Sequence, residues 1–148
     1  MPYSHLLVPT DGSDLSERAL AKALALAKIF GAHVTVLHAQ PPVPLSLVGM
    51  GEVVDPGTVD ALVNAARQNA VRVLLAAEAQ GQAAGLSVAQ ENVLDAAPHR
   101  AIVEAAARLG CDLIVMASHG RRGLEGLLLG SETQKVLTHS PCAVLVVR

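Results

Sequence analysis

The sequence predicts an α/β fold: one domain built on an open five-stranded parallel sheet with helices on both faces. Three observations point there. Short apolar runs alternate with segments of helical period along the whole chain, the pattern that builds parallel sheets through right-handed crossovers. The apolar half of the composition is almost wholly aliphatic, with one Phe, one Tyr and no Trp. Such a composition suits strands buried on both faces under closely packed helices. The length, 148 residues, suits one core, and no repeat or linker divides it.

Each element follows from its local chemistry. His5 to Val8 reads as a buried strand stopped by Pro9. After the turn Thr10-Asp11-Gly12-Ser13, Asp14 and Glu17 resemble a helix cap. The helix runs to about Phe30, with Leu20, Leu24 and Ala27 on one face, and Gly31 ends it. Val34 to Ala39 is the second strand. The stretch from Gln40 to Gly57 holds four prolines and reads as a long binding or lid loop. Thr58 to about Ala84 is a helix whose stripe is Leu62, Ala66, Ala70, Val73 and Ala77. Leu86 to Val93 is a third, weaker strand. Pro98 opens the next helix, which carries Ile102, Val103, Ala106 and Leu109 and stops at Gly110. Cys111 to Ala117 is the fourth strand. Ser131 opens a short helix with Gln134 in capping-box spacing, Pro141 breaks it, and Cys142 to Val147 is the fifth strand.

Composition excludes several functions. The formal net charge is −2 and no basic run exists, which argues against a nucleic-acid duplex as partner. Scarce aromatics remove the stacking platforms that single strands need. Two cysteines, Cys111 and Cys142, are too few for a disulfide framework. The opening residues do not form a signal peptide, and no apolar run approaches the ~20 residues of a membrane span. A reduced, cytoplasmic protein is expected.

In open parallel sheets ligands bind at the carboxyl ends of strands, where the winding reverses. Two strand ends here carry unusual chemistry. The first strand ends in Pro9-Thr10-Asp11-Gly12-Ser13. The fourth ends in Ala117-Ser118-His119-Gly120 and runs on through Arg121, Arg122, Gly123 and Gly126 to Gly130-Ser131. If both line one crevice, the first and fourth strands are neighbours. Glycines there let backbone amides approach an anion. A helix opening at Gly130-Ser131 offers unpaired donors and a favourable dipole, and arginines suit phosphate oxygens. The plainer reading is a connection that only turns, with two solvated arginines. Asp11 has two readings as well: an acceptor for a base amino group or ribose hydroxyl, or a turn and cap residue.

These residues carry a resemblance. Leu6-Leu7-Val8-Pro9-Thr10-Asp11-Gly12-Ser13, Val36-Leu37-His38-Ala39, Asp112 to Gly120, and Gly130-Ser131 through Pro141 to Val147 resemble, in this order, four blocks of the universal stress protein family. The likeness spans essentially residues 1–148. The family's nucleotide signature is Gly, two residues, Gly, nine residues, Gly, then Ser or Thr. Gly120, the run Arg121 to Leu129, and Gly130-Ser131 match it, whereas Ala117 stands at the first glycine. The resemblance implies strand order 3-2-1-4-5 and an ATP site. Pro9, Thr10 and Asp11 would flank adenine and ribose, and the Ala39 backbone would meet the adenine edge. Met116 and Ala117 would floor the pocket. Ser118, His119, Gly120, Arg121, Gly130, Ser131 and Thr133 would surround ribose and phosphates. Magnesium, if bound, would be held through phosphate oxygens.

No residue set for catalysis or metal binding stands at a diagnostic spacing. His119 and Glu125 are the only loop residues suited to handling a proton, and His5, His33, His38, His99 and His139 read as structural or surface residues. The chain therefore reads as a nucleotide-binding regulatory module for the stress response and not as an enzyme. A slow ATPase and a scaffold that has lost its nucleotide are the alternatives. The uncharged strand Ala143 to Val147 would lie at a sheet edge and pair with its own copy in a homodimer, unless a helix or the long loop covers it.

Overall fold

The computed structural model describes residues 2–43, 55–120 and 128–148. Along them run β1 (His5–Pro9), α1 (Asp14–Phe30), β2 (His33–Gln40), α2 (Pro56–Ala83), β3 (Ala89–Leu94), α3 (Pro98–Leu109), β4 (Leu113–Ala117), α4 (Ser131–His139) and β5 (Ala143–Val147). The sheet has order β3-β2-β1-β4-β5 with every neighbouring pair parallel. The fold class is the one the sequence pattern predicts, and the strand order is the one the family resemblance implies.

Strand alternation sorts the core into two layers. Leu6, Val8, Val34, Val36, Leu113 and Val115 face α1 and α2, where Leu20, Leu24, Ala27, Leu74 and Ala77 meet them. Leu7, Leu37, Ile114 and Met116 face α3 and α4, against Ile102, Ala105, Ala106 and Val136. Alanines on the helices let them lie close to the sheet, so aliphatic strands fill both layers, with Tyr3 and Phe30 packed as partly buried residues against the α1/α2 layer. Asp112 ties the β1 and β4 starts together: it accepts from Ser4 N–H at 2.8 Å, Ser4 Oγ at 2.7 Å and His5 N–H at 3.0 Å. Burial pushes its carboxyl up, but these donors outweigh that and hold it below the usual carboxylate value.

Boundaries differ from expectation where hydrogen bonds decide them. Ser13, not Asp14, caps α1, its side chain accepting from Ser16 N–H at 3.3 Å. α2 starts at Pro56, not Thr58, since proline suits the first helical turn. Its stripe is buried only from Ala70 onward; Leu62 is exposed. β3 starts at Ala89, not Leu86. Leu86 N–H is spent on the Gly81 carbonyl at 2.9 Å, closing α2, and strand pairing begins only at Thr35 opposite Ala89. At α4 the expected capping box does not form. Gly130 is the cap, and the Gln134 side chain donates to the Leu129 carbonyl at 2.9 Å. Of the expected loop from Gln40 to Gly57, residues 44–54 lie outside the described residues.

Both cysteines are free thiols packed in the α3/α4 layer. Burial, then the neighbouring Cys142, pushes the Cys111 thiol up to about 11, so it is a small apolar group at neutral pH. Alkylation of the denatured chain without reductant is expected to label both thiols. A chain two hydrogens light with neither labelled would contradict this. No helix among the described residues is long and apolar enough to cross a membrane.

Candidate functional site

At its carboxyl end β1 keeps β2 as a neighbour but parts from β4. Thr10 N–H donates to the Leu37 carbonyl at 2.8 Å, so Thr10 turns its backbone toward β2. Successive residues of a strand turn opposite ways, which puts the nitrogen of Pro9 on the β4 side. Proline has no N–H to extend that ladder. The β1–β4 register is accordingly short: Leu6 opposite Leu113 and Leu7 opposite Ile114, although β1 runs to Pro9 and β4 to Ala117. β1 and β4 therefore part at the topological switch point, the place where parallel sheets bind ligands in a crevice.

The loop after β1 forms one wall. Asp11 Oδ1 accepts from Ser13 N–H at 2.9 Å, and Thr10 Oγ1 lies 3.1 Å from Ser16 Oγ. Gly12 turns the chain at φ 79°, a left-handed conformation that favours glycine. Asp11 Oδ2 lies 3.0 Å from where a Cβ on Gly120 would sit. The β1 and β4 loops therefore touch through a carboxylate and a bare backbone.

The other wall is where the segment after β4 closes on itself. Gly130 N–H donates to the Ser118 carbonyl at 2.7 Å. A Cβ at Gly130 would stand 3.1 Å from His119 Cα and 3.2 Å from the Ser118 carbonyl oxygen, so only glycine fits without displacing backbone. Thr133 is buried, and its hydroxyl donates to the Ala117 carbonyl at 3.1 Å. That bond pins the first turn of α4 against the end of β4. Among the described residues no side chain caps α4, whose cap is Gly130, and the helix start presents its amide donors and the positive end of its dipole.

Glu132, in that first turn, would oppose an anion, but it is drawn toward α3. Its carboxylate accepts from His99 N–H at 2.8 Å and meets the His99 ring at 2.9 Å and Lys135 Nζ at 3.3 Å. Burial pushes Glu132 up; the donors of His99 and Lys135 prevail and hold it below its usual value. Among the described residues no group of three or more His, Cys, Asp or Glu could hold a metal ion.

The fold thus brings together Pro9, Thr10, Asp11, Ser118, His119, Gly120, Gly130 and Ser131. Ala39 sits at the end of β2, two residues past Leu37, the last residue opposite β1. Met116 and Ala117 are buried, Met116 within the α3/α4 layer. Thr133 faces Ala117 and ties elements together. Arg121 lies outside the described residues, as do Arg122 and Glu125. Sequence reasoning set His38 aside as structural or surface. It is buried beside the crevice, its Nδ1 donating to the Thr10 carbonyl at 3.0 Å. Its position one residue before Ala39 was the available signal.

Comparison with known proteins agrees with this architecture. A universal stress protein of Thermus aquaticus is 38% identical over 149 residues, covering 99% of each chain. The universal stress protein UspA from Lactobacillus plantarum superposes with a TM-score of 0.79 at 24% identity, covering 100% of this chain and 99% of that one. A universal stress protein solved in complex with cAMP superposes at 0.74 with 28% identity, covering 100% and 99%. The universal stress protein family profile matches residues 2–148, and the chain belongs to that family.

Proposed function

We propose that the chain is an ATP-binding regulatory module of the stress response, working as a homodimer in the cytoplasm. The observation that carries this reading is the opening at the end of β1. There the crevice lies between Asp11 on Gly120 and the tight closure of Gly130 on Ser118, beside a helix start with no side-chain cap. The relative that binds cAMP supports an adenine nucleotide as ligand. Asp11 with Pro9 and Thr10 would bind adenine and ribose, and the Ala39 backbone the base edge. Ala117 and Met116 form the floor. Ser118, His119, Gly120, Gly130 and Ser131 would surround ribose and phosphates, with Thr133 holding α4 in place; Arg121, which lies outside the described residues, is expected to join them. The phosphates gain backbone donors and the α4 dipole. A magnesium ion depends mainly on phosphate oxygens.

Binding alone supplies the regulation: ligand that binds only the folded chain stabilises it by about 2.7 kcal/mol at one hundred times Kd. ATP turnover is expected to stay at the level of a control without protein. Mass spectrometry of small molecules released by denaturing the purified protein tests the reading. An adenine nucleotide near one per chain supports it. A different ligand at that stoichiometry contradicts it.

Ala117→Gly restores the family signature. It is expected to raise ATP affinity a few-fold, about 1 kcal/mol, by removing a methyl group at the pocket floor. It should also lower stability by ~0.5–1 kcal/mol, the backbone cost of glycine in a strand. Calorimetry and urea denaturation of the same variant measure both; a fall in affinity would show that the methyl is well accommodated.

A further inference from the structure

The β1–β2 ladder lacks a rung beside the crevice. Asp95 N–H donates to the Gln40 carbonyl at 3.0 Å, so Gln40 turns its backbone to β3, and Ala39 turns its own to β1. The ladder opens with His33 N–H on the Ser4 carbonyl at 2.9 Å and reaches Thr10 N–H on the Leu37 carbonyl at 2.8 Å. By the register that sets His5 opposite His33 and Pro9 opposite Leu37, the next rung is Ala39 N–H on the Thr10 carbonyl. Among the described residues that bond is not formed. The Thr10 carbonyl accepts from His38 Nδ1 at 3.0 Å instead. Strand side chains stand off the sheet, so a carbonyl held by the ring is drawn out of the ladder. His38 is 5% exposed and Thr10 8%; losing the bond would leave a buried acceptor unsatisfied.

We propose that His38 is a positioning residue: it takes the Thr10 carbonyl and thereby reserves the Ala39 N–H for the ligand's base. This deepens the nucleotide-binding reading and rests on it. Its consequence is base selectivity. An amide N–H with its carbonyl on the same side offers one donor and one acceptor. Adenine answers with the N1 acceptor and the amino donor at C6. Guanine presents an N1–H donor and the O6 acceptor, the reverse pattern, and leaves both protein groups mismatched. A closed rung would consume the donor and leave only the carbonyl to tell the two bases apart.

The test is amide hydrogen exchange at Ala39 by NMR in the ligand-free chain, with ATP and GTP titrations of wild type, His38→Asn and His38→Gln. Asn can place its amide nitrogen near the position of Nδ1 and keeps the bond to Thr10. Gln carries its amide one bond farther and loses it. In ligand-free wild type and His38→Asn, Ala39 is expected to exchange roughly ten-fold or more faster than the paired amides of β2. In His38→Gln the rung closes and Ala39 slows to match them. The preference for ATP over GTP is expected to be about ten-fold or more in wild type and His38→Asn, and to fall several-fold in His38→Gln. Protection of Ala39 in ligand-free wild type equal to that of its neighbours would overturn the proposal, whether or not the variants fold. So would a His38→Gln chain with unchanged exchange and unchanged ATP-to-GTP ratio. A wild type that binds neither nucleotide would refute the nucleotide reading and the ligand half of this proposal. The exchange contrast would still decide separately whether His38 opens the ladder.

Discussion

Gly130→Val is expected to weaken ATP binding about thirty-fold or more, some 2 kcal/mol, while Ser13→Ala changes affinity by no more than about three-fold. The contrast follows from what each residue touches. A Cβ at Gly130 already crowds His119 Cα and the Ser118 carbonyl, and the two further methyls of Val need space between loop and helix. The Gly130–Ser118 bond at 2.7 Å would open, moving the first turn of α4 away from the end of β4. Ser13 instead caps α1 through Ser16 N–H. Its loss is expected to cost about 1 kcal/mol of stability and little affinity. Calorimetric titration and urea denaturation of both variants separate the two effects. Equal losses of affinity would contradict the placement of the phosphates at Gly130.

Val146→Lys is expected to convert a dimer into a monomer at tens of micromolar, with dissociation strengthened about one hundred-fold or more, near 3 kcal/mol. The two sheet edges differ in chemistry. β3 carries Gln90, Glu91 and Asn92; Glu91 pairs with Arg108, and Asn92 bonds Gln40. Polar and charged groups of this kind guard an edge. β5 is wholly aliphatic, with Ala143 and Leu145 exposed and Val144 and Val146 half-buried. Antiparallel pairing of two β5 strands about a two-fold axis would continue the sheet and bring Val144 and Val146 against their mates. Lysine at 146 would place like charges close to that axis. Sedimentation equilibrium decides: an intact chain that is monomeric, or a dimer indifferent to the lysine, contradicts this assembly.

Much of the fold was legible because local and global signals agree. Proline and glycine mark the strand and helix ends, as at Pro9, Gly31, Pro98 and Gly110, and aliphatic runs mark buried strands. What escaped depends on which backbone groups pair. Gly85, left-handed at φ 77°, ends α2 in a local turn that spends the Leu86 amide on the Gly81 carbonyl five residues back, and the apolar run from Leu86 to Val88 hides that turn. Ser131 with Gln134 has capping-box spacing, yet the tight turn onto Ser118 makes Gly130 the cap. For the site, Asp11 stood out by its place at the end of β1, Gly120 and Gly130 by the spacing of the family signature, and the switch-point rule put both segments at one crevice on condition that β1 and β4 are neighbours, which they are. It could not show that Thr133 points at the Ala117 carbonyl. His38 reads from sequence as structural or surface and is a buried, hydrogen-bonded residue; its partner, the Thr10 carbonyl, is a backbone group whose direction only the register of β1 and β2 reveals.

Calorimetric titration of the wild-type chain with ATP and magnesium tests the central claim most directly. Saturable binding of one ATP per chain with a dissociation constant below about 1 mM, at least 4 kcal/mol, is the predicted result. The absence of binding at millimolar ATP would contradict it.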